Sequence, residues 1–238
     1  MSDEYADCER HDDWFLGQDV NAWSSLAYVA VGAVIAVLVL RRRIAPAFLA
    51  LAASVTLVGV GSLLYHGEGG DAAQLLHDAP LVGALGFVAG WHAGRMLDRA
   101  GLWAIAGAIG GVAVGAAASA VSATNAAVAL AVAVIVVTEL LARRRGCPAI
   151  WTARLVGLAG LAAVTWLAGT SGSPLCDTES WLQPHGAWHV LSALVLLAWT
   201  DGAAASLSGE ASWHTSDRRR TATRCGTDPR RREPPGGH

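Results

Sequence analysis

Long apolar runs separated by short polar segments dominate the chain from residue 23 to residue 202. Each run is close to the roughly 20 residues that an α-helix needs to cross a bilayer. Backbone groups inside lipid must find hydrogen-bond partners within the chain, so we expect each run to be helical. The runs cover approximately residues 23–40, 44–66, 73–96, 101–119, 124–142, 151–169 and 184–202. The pattern predicts an all-α, polytopic membrane protein built as a seven-transmembrane helix bundle.

The composition agrees with this interpretation and narrows the classes of partner. The 238 residues are 53% hydrophobic and 15% charged, which is typical of a membrane protein and unusual for a soluble domain. Glycine and alanine fill the middle runs, as in "AIAGAIGGVAVGAAASA" at 104–120, and such surfaces allow close helix packing. We therefore expect the lipid bilayer as a partner and no nucleic acid. The sequence does not indicate an oligomeric state.

Charge is distributed unevenly along the chain and predicts its orientation. Seven acidic residues and one arginine lie in the first 19 residues, whereas seven arginines and two acids lie in 218–238. Arginines also follow the first, third and fifth runs, at 41–43, 95–99 and 143–145. The positive-inside rule places the N-terminus outside the cell membrane and the C-terminus in the cytoplasm. The predicted parts are an acidic extracytoplasmic segment over 1–22, a seven-helix membrane domain over 23–205, and a disordered Arg/Pro-rich tail over 206–238.

Polar residues occur inside the runs at one common depth. Ser62 and His66 lie one helical turn apart at the end of the second run, and His185 and His189 have the same spacing at the start of the seventh. Ionisable groups inside a membrane are costly and commonly mark a functional site. Three imidazoles with one open position are the ligand pattern of a catalytic zinc site. The sequence therefore predicts a metal centre at the outer end of the bundle.

Two other interpretations of these histidines stay open at this point. A membrane histidine is often an interhelical hydrogen-bond partner, and His92, at the opposite end of the third run, is expected to be that or a surface group. Two histidines on separate helices also clamp haem iron in some proteins. A haem site would leave no purpose for the neighbouring serine or for Asp78, which begins the third run with His77.

Several motifs together resemble the alkaline ceramidase family, which belongs to a superfamily of membrane hydrolases that includes the adiponectin receptors. The resemblance covers about residues 7–200 and leaves out the tail. It depends on the order and helix placement of "GVGSLLYH", "QLLHDAP" and "HGAWH". The acidic "CE" segment in front and "NAWSSLAYVAVG" at 21–32 extend it.

The resemblance implies a zinc ion held by His66, His185 and His189. It implies that Ser62 hydrogen-bonds a developing oxyanion, although this serine is also explained by helix packing. The family aspartate lies three residues before a proline, a position that His77 occupies here, whereas the nearest acid is Asp78. We expect Asp78 to be the general base, because a carboxylate accepts a proton from water without competing as a strong zinc ligand.

Two further features follow from the same resemblance. The acidic N-terminal segment binds calcium in that family, so its acids are candidate calcium ligands here, with a solvated acidic tail as the alternative. These candidates are Asp7, Glu9, Asp12 and Asp19. The family also joins this segment to the loop between the last two helices, which implies a disulfide between Cys8 and Cys176 rather than two free thiols.

The expected function is that of a zinc-dependent intramembrane amide hydrolase, similar to alkaline ceramidase. It would cleave an N-acyl, ceramide-like lipid to a fatty acid and an amine. The alternative is a receptor-like or lipid-binding seven-helix protein with a structural metal site and no hydrolase activity.

Overall fold

The computed structural model describes residues 7–10 and 16–213, with side chains described up to residue 206. Eight helices and no strand occupy this part of the chain, which confirms the all-α prediction. The helices are α1 (Asp19–Ser24), α2 (Leu26–Leu40), α3 (Phe48–Gly67), α4 (Asp71–Arg95), α5 (Ala100–Ser119), α6 (Thr124–Arg144), α7 (Ala153–Ala168) and α8 (Pro184–Trp213).

Six of the segments in the described residues are long and apolar enough to cross a membrane. The first is α1 and α2 taken together, interrupted by a turn at Ser25, and the last is Pro184–Ser206 within α8. The sixth predicted run forms α7, whose 16 residues are fewer than the roughly 20 of a typical span. α8 continues to Trp213, beyond the predicted start of the tail at 206, and residues 214–238 lie outside the described residues.

The outward faces of the helices are apolar. Only 17% of the apolar window of α5 and 22% of that of α6 are buried inside the bundle. Large side chains such as Ile109 and Leu130 are consequently exposed. Exposed apolar area on this scale is unfavourable in water and is the expected surface of a helix that faces lipid. The structure is therefore that of a membrane-embedded helical protein.

Glycines bring the backbones of α4 and α5 into direct contact. A Cβ atom added to Gly86 would collide with the carbonyl of Gly107, and one added to Gly107 would collide with that of Gly86. Gly111 and Gly115 meet the α4 backbone in the same way. The prediction that these glycines serve packing is thus confirmed, and the close approach fixes α4, which carries His77 and Asp78.

A buried polar network holds the bundle together at the end where the arginine-rich loops lie. His92 accepts hydrogen bonds at Nε2 from the indoles of Trp151 and Trp199, each at 3.2 Å. Its Nδ1 therefore carries the hydrogen and lies 3.0 Å from Oε2 of Glu139 on α6. Glu139 also accepts a hydrogen bond from Arg143, one turn later. His92 is thus the interhelical hydrogen-bond partner that the sequence allowed, and Glu139 was not anticipated.

Candidate metal centre

Three histidines meet at the opposite end of the bundle, where α3 ends and α8 begins. His66 lies in the last turn of α3, and His185 and His189 lie in the first two turns of α8. Their ring centroids are 4.7–5.2 Å apart, and one ligand nitrogen from each lies within 4.8 Å of the others. All three side chains are buried. The predicted convergence of these residues is therefore present in the fold.

His66 is oriented by an amide from the N-terminal segment. Its Nδ1 donates to Oε1 of Gln18 at 2.6 Å, because the Gln18 amide nitrogen is turned the other way and donates to the carbonyl of Glu9. Nε2 of His66 then carries the lone pair. It is buried and has no hydrogen-bond partner among the described residues. An unpaired buried nitrogen is costly, and a metal ion satisfies it.

The other two histidines are oriented from the same segment. Nδ1 of His189 lies 3.1 Å from the main-chain carbonyl of Asn21 and 2.9 Å from Oγ of Ser24. Nδ1 of His185 lies 2.9 Å from Oδ1 of Asp7. In all three imidazoles, Nδ1 thus faces an oxygen-bearing partner and Nε2 is left for a ligand. Metal-binding histidines typically have such partners, so the donor set fits zinc.

A disulfide fixes the N-terminal segment beside the histidines. Cys8 and Cys176 are bonded, with their Cα atoms 5.4 Å apart, which confirms the predicted pairing. The Cys8 amide donates to the carbonyl of Gly169, and Ser171 Oγ donates to the carbonyl of Asp7. Asp7 is therefore attached to the segment between α7 and α8 through its own carbonyl and through the amide of the next residue, Cys8. These contacts keep its carboxylate beside His185.

The acids proposed as calcium ligands have separate environments. Glu9 accepts hydrogen bonds from the amides of Val20 and Asn21 and so satisfies the first turn of α1. Burial raises the pKa of the Glu9 carboxyl, against the lowering effect of these two hydrogen bonds. Asp19 is exposed, and Asp12 lies outside the described residues. Among the described residues these acids form no metal-binding group, and calcium binding stays a prediction.

Ser62 lies beside the three histidines, as the sequence predicted from its position one turn before His66. Its side chain is completely buried, and Oγ is 3.5 Å from Nε2 of His189. Oγ is also 2.8 Å from the hydroxyl of Ser25, in the turn between α1 and α2. The hydroxyl is thus next to the expected metal position, where it could donate to an oxygen bound there.

Asp78 is hydrogen-bonded to α6 and to the neighbouring residue on its own helix. Its Oδ2 accepts a hydrogen bond from Thr124 at the start of α6, at 2.6 Å, and its Oδ1 accepts one from Nδ1 of His77, at 2.8 Å. His77 stacks on the ring of Tyr65, which in turn contacts His66 edge-on. Adjacent helical residues point about 100° apart, so only one of the pair can face the site. The role of Asp78 as a base stays a prediction.

Sequence reasoning missed the partners that orient the histidines. Gln18 has an amide side chain just before the first apolar run, which is the one sequence signal that could have identified it. Asn21 acts through its main-chain carbonyl, and a backbone group leaves no signature in the amino-acid letters. Thr124 is in a short polar segment whose contact with Asp78 depends on how α4 and α6 pack.

The chain matches no protein-family model and no curated protein.

Proposed function

We propose that the protein is a zinc-dependent intramembrane amide hydrolase that cleaves an N-acyl, ceramide-like lipid to a fatty acid and an amine. The observation that carries this proposal is the set of three buried imidazoles with Nδ1 facing oxygen atoms and Nε2 available. Three neutral imidazoles are a common ligand set for catalytic zinc, which keeps a fourth position for water or substrate. Each histidine would hold the ion through Nε2.

The residues around this position support hydrolysis. When bound, zinc supplies Lewis acidity, which activates water near neutral pH and polarises a carbonyl. The Ser62 hydroxyl, 3.5 Å from Nε2 of His189, would hydrogen-bond the oxygen that becomes negative during attack on an amide. In a bundle that spans the bilayer as proposed, a site at one end would lie near the polar headgroup region that flanks the hydrocarbon core. An N-acyl lipid could therefore present its amide there without leaving the bilayer.

The proposed topology completes this account. Adding α7 to the six long segments gives seven spans. The N-terminus then lies outside the cell membrane, and the arginine-rich loops and the tail lie in the cytoplasm. The Cys8–Cys176 disulfide fits this orientation, because disulfides persist outside the cell. A cysteine placed at residue 4 should react with an impermeant thiol reagent on intact cells, and labelling at residue 221 instead would reverse the orientation.

One observation favours the second candidate, a receptor-like or lipid-binding protein with a structural metal. The two carboxylate oxygens of Asp78 accept hydrogen bonds from Thr124 and His77, so this acid has a structural role in joining α4 to α6. A structural site needs no base. The hydrolase is preferred because a structural zinc is normally enclosed by four protein ligands, and three are present in this group.

Lipid profiling of cells tests the proposed function. Cells that produce the intact chain should lose one class of N-acyl lipid and gain the matching fatty acid and amine. Cells that produce the His66→Ala variant at the same level should not. Unchanged amide lipids with the intact, zinc-containing protein would contradict the proposal and favour the second candidate.

A further inference from the structure

We propose that His77, oriented by Asp78, is the general base of this site. This inference rests on the proposed amide hydrolysis and assigns the proton transfer to an imidazole instead of the adjacent carboxylate. Three observations carry it: the hydrogen-bonded chain that begins at Thr124, the unpaired ring nitrogen of His77, and the position of His77 on the side of α4 that meets α3.

The hydrogen bonds fix the tautomer of His77. Thr124 donates its hydroxyl hydrogen to Oδ2 of Asp78, and the other oxygen, Oδ1, accepts from Nδ1 of His77. Because the carboxylate has no hydrogen to give, Nδ1 must carry the ring hydrogen. Nε2 then holds a lone pair. It is buried and has no hydrogen-bond partner among the described residues, so it is available to accept a proton.

His77 lies on a turn of α4 that packs against α3 beside Ser62. α4 touches α3 at Gly61, the residue before Ser62, where a Cβ atom would collide with the backbone of Leu76 and His77. The Tyr65 ring lies against both the His77 ring, at 5.7 Å, and the His66 ring, at 5.2 Å.

Asp78 is poorly placed for the same task. Its two oxygens accept hydrogen bonds from Thr124 and His77, and Ser119 at the end of α5 is a further partner, so its contacts lie on α4, α5 and α6. As the base it would take the proton on an oxygen that already accepts from Thr124 or His77, which would weaken that hydrogen bond. Acting through His77, it keeps both bonds and holds the imidazole in one tautomer, which makes Asp78 a positioning residue.

The proton transfer balances without another reactant. As the water oxygen bonds to the carbonyl carbon, Nε2 of His77 takes a proton from that water, and the π electrons of the carbonyl move to its oxygen. The C–N bond then breaks as the carbonyl re-forms. The nitrogen leaves with the bonding pair and receives the proton from Nε2. The products are a carboxylic acid and an amine, and His77 ends neutral, as it began.

The test uses the purified full chain in detergent with His77→Gln, Asp78→Asn and, as a control, Glu68→Gln. Glu68 is an exposed acid between α3 and α4, so its neutralisation should change nothing. Zinc content and hydrolysis of a ceramide panel are measured for each. The ring-nitrogen chemical shifts of His77 are measured by NMR on ¹⁵N-histidine-labelled, zinc-free protein, with the His77→Gln spectrum as the assignment.

We expect His77→Gln to keep its zinc and to lose about 10²–10⁴-fold in turnover, the usual contribution of a general base. In the zinc-free wild type, the His77 ring should carry its hydrogen on Nδ1. Asp78→Asn should shift the His77 ring towards the other tautomer. The same variant should keep its zinc and have a lower turnover. Glu68→Gln should match the wild type in all three measurements.

Three results would overturn the assignment. The first is turnover in His77→Gln as fast as in wild type. The second is a hydrogen on Nε2 of His77 in the wild type. The third is a loss of turnover in Asp78→Asn that His77→Gln lacks. The last would make Asp78 the base. If zinc-loaded wild type hydrolyses none of the amides, the proposed function fails and the base assignment fails with it. If wild type is active and His77→Gln is too, only the base assignment fails.

Discussion

The side-chain oxygen of Gln18 lies 2.6 Å from Nδ1 of His66, so an amide in front of the first long helix determines which nitrogen of a histidine on α3 is free. The same segment supplies Asp7 to His185 and the Asn21 carbonyl to His189. A segment that could be taken for a solvated tail therefore orients all three histidines of the candidate metal centre.

Gln18→Ala should weaken zinc binding without unfolding the protein. Removal of an orienting partner typically costs about 10–100-fold in metal affinity, because the imidazole loses its fixed tautomer and direction. The measurement is a competition titration against a chromophoric zinc chelator. Gln74→Ala, which alters a half-buried glutamine on α4 at the same end of the bundle, is the matched control. Equal zinc affinity in Gln18→Ala and the control would show that Gln18 does not orient the site.

Removing the disulfide should affect both stability and metal retention. The double variant Cys8→Ser/Cys176→Ser should be less stable by about 2–4 kcal/mol, on general grounds of loop closure. It should also release zinc faster, because Asp7 is adjacent to Cys8 and loses its anchor beside His185. Thermal unfolding and zinc release into excess chelator are the two measurements. A lower unfolding temperature with unchanged zinc release would show that the disulfide stabilises the fold but does not help to retain the metal.

Ser62→Ala should retain zinc and lose turnover. A lost oxyanion donor typically costs about 10²–10³-fold in kcat. Ser54, two turns earlier on α3 and also buried, provides the matched control, since Ser54→Ala removes a hydroxyl from the same helix far from the histidines. If the two variants hydrolyse ceramide at the same rate, Ser62 is a packing residue.

Glu139→Gln tests the role of the network at the other end of the bundle. The change leaves His92, Arg95 and Arg143 without their shared carboxylate, and breaking a buried ionic contact on one side typically costs about 3–5 kcal/mol. We expect a clearly lower unfolding temperature with normal zinc content. Loss of zinc in a variant that is still folded would contradict a purely structural role for this network.

Much of the fold and the convergence of the three histidines could be predicted because they depend on periodicity and depth. Runs of about 20 apolar residues identify membrane helices, and the four-residue spacing of His185 and His189 places both rings on one helix face. His66 is in the last turn of α3 and therefore lies at the same end of the bundle as His185 and His189, which are in the first turns of α8.

The remaining features depend on contacts that a linear pattern does not contain. Whether His77 or Asp78 faces α3 is decided by the local rotation of α4, where Pro80 removes a backbone donor and Gly61 allows close approach. Glu139 is four residues before Arg143 near the end of a predicted run, and this position does not reveal that its carboxylate lies against His92 on α4.

Zinc-dependent release of fatty acid from an N-acyl lipid by the purified full chain is the most direct test of the central claim. We expect the zinc-loaded protein to contain about one ion per chain, to hydrolyse ceramide, to stop when the metal is removed and to recover when zinc is restored. His189→Ala should bind no zinc and release no fatty acid. Hydrolysis that persists without zinc, or zinc bound normally by His189→Ala, would contradict the account.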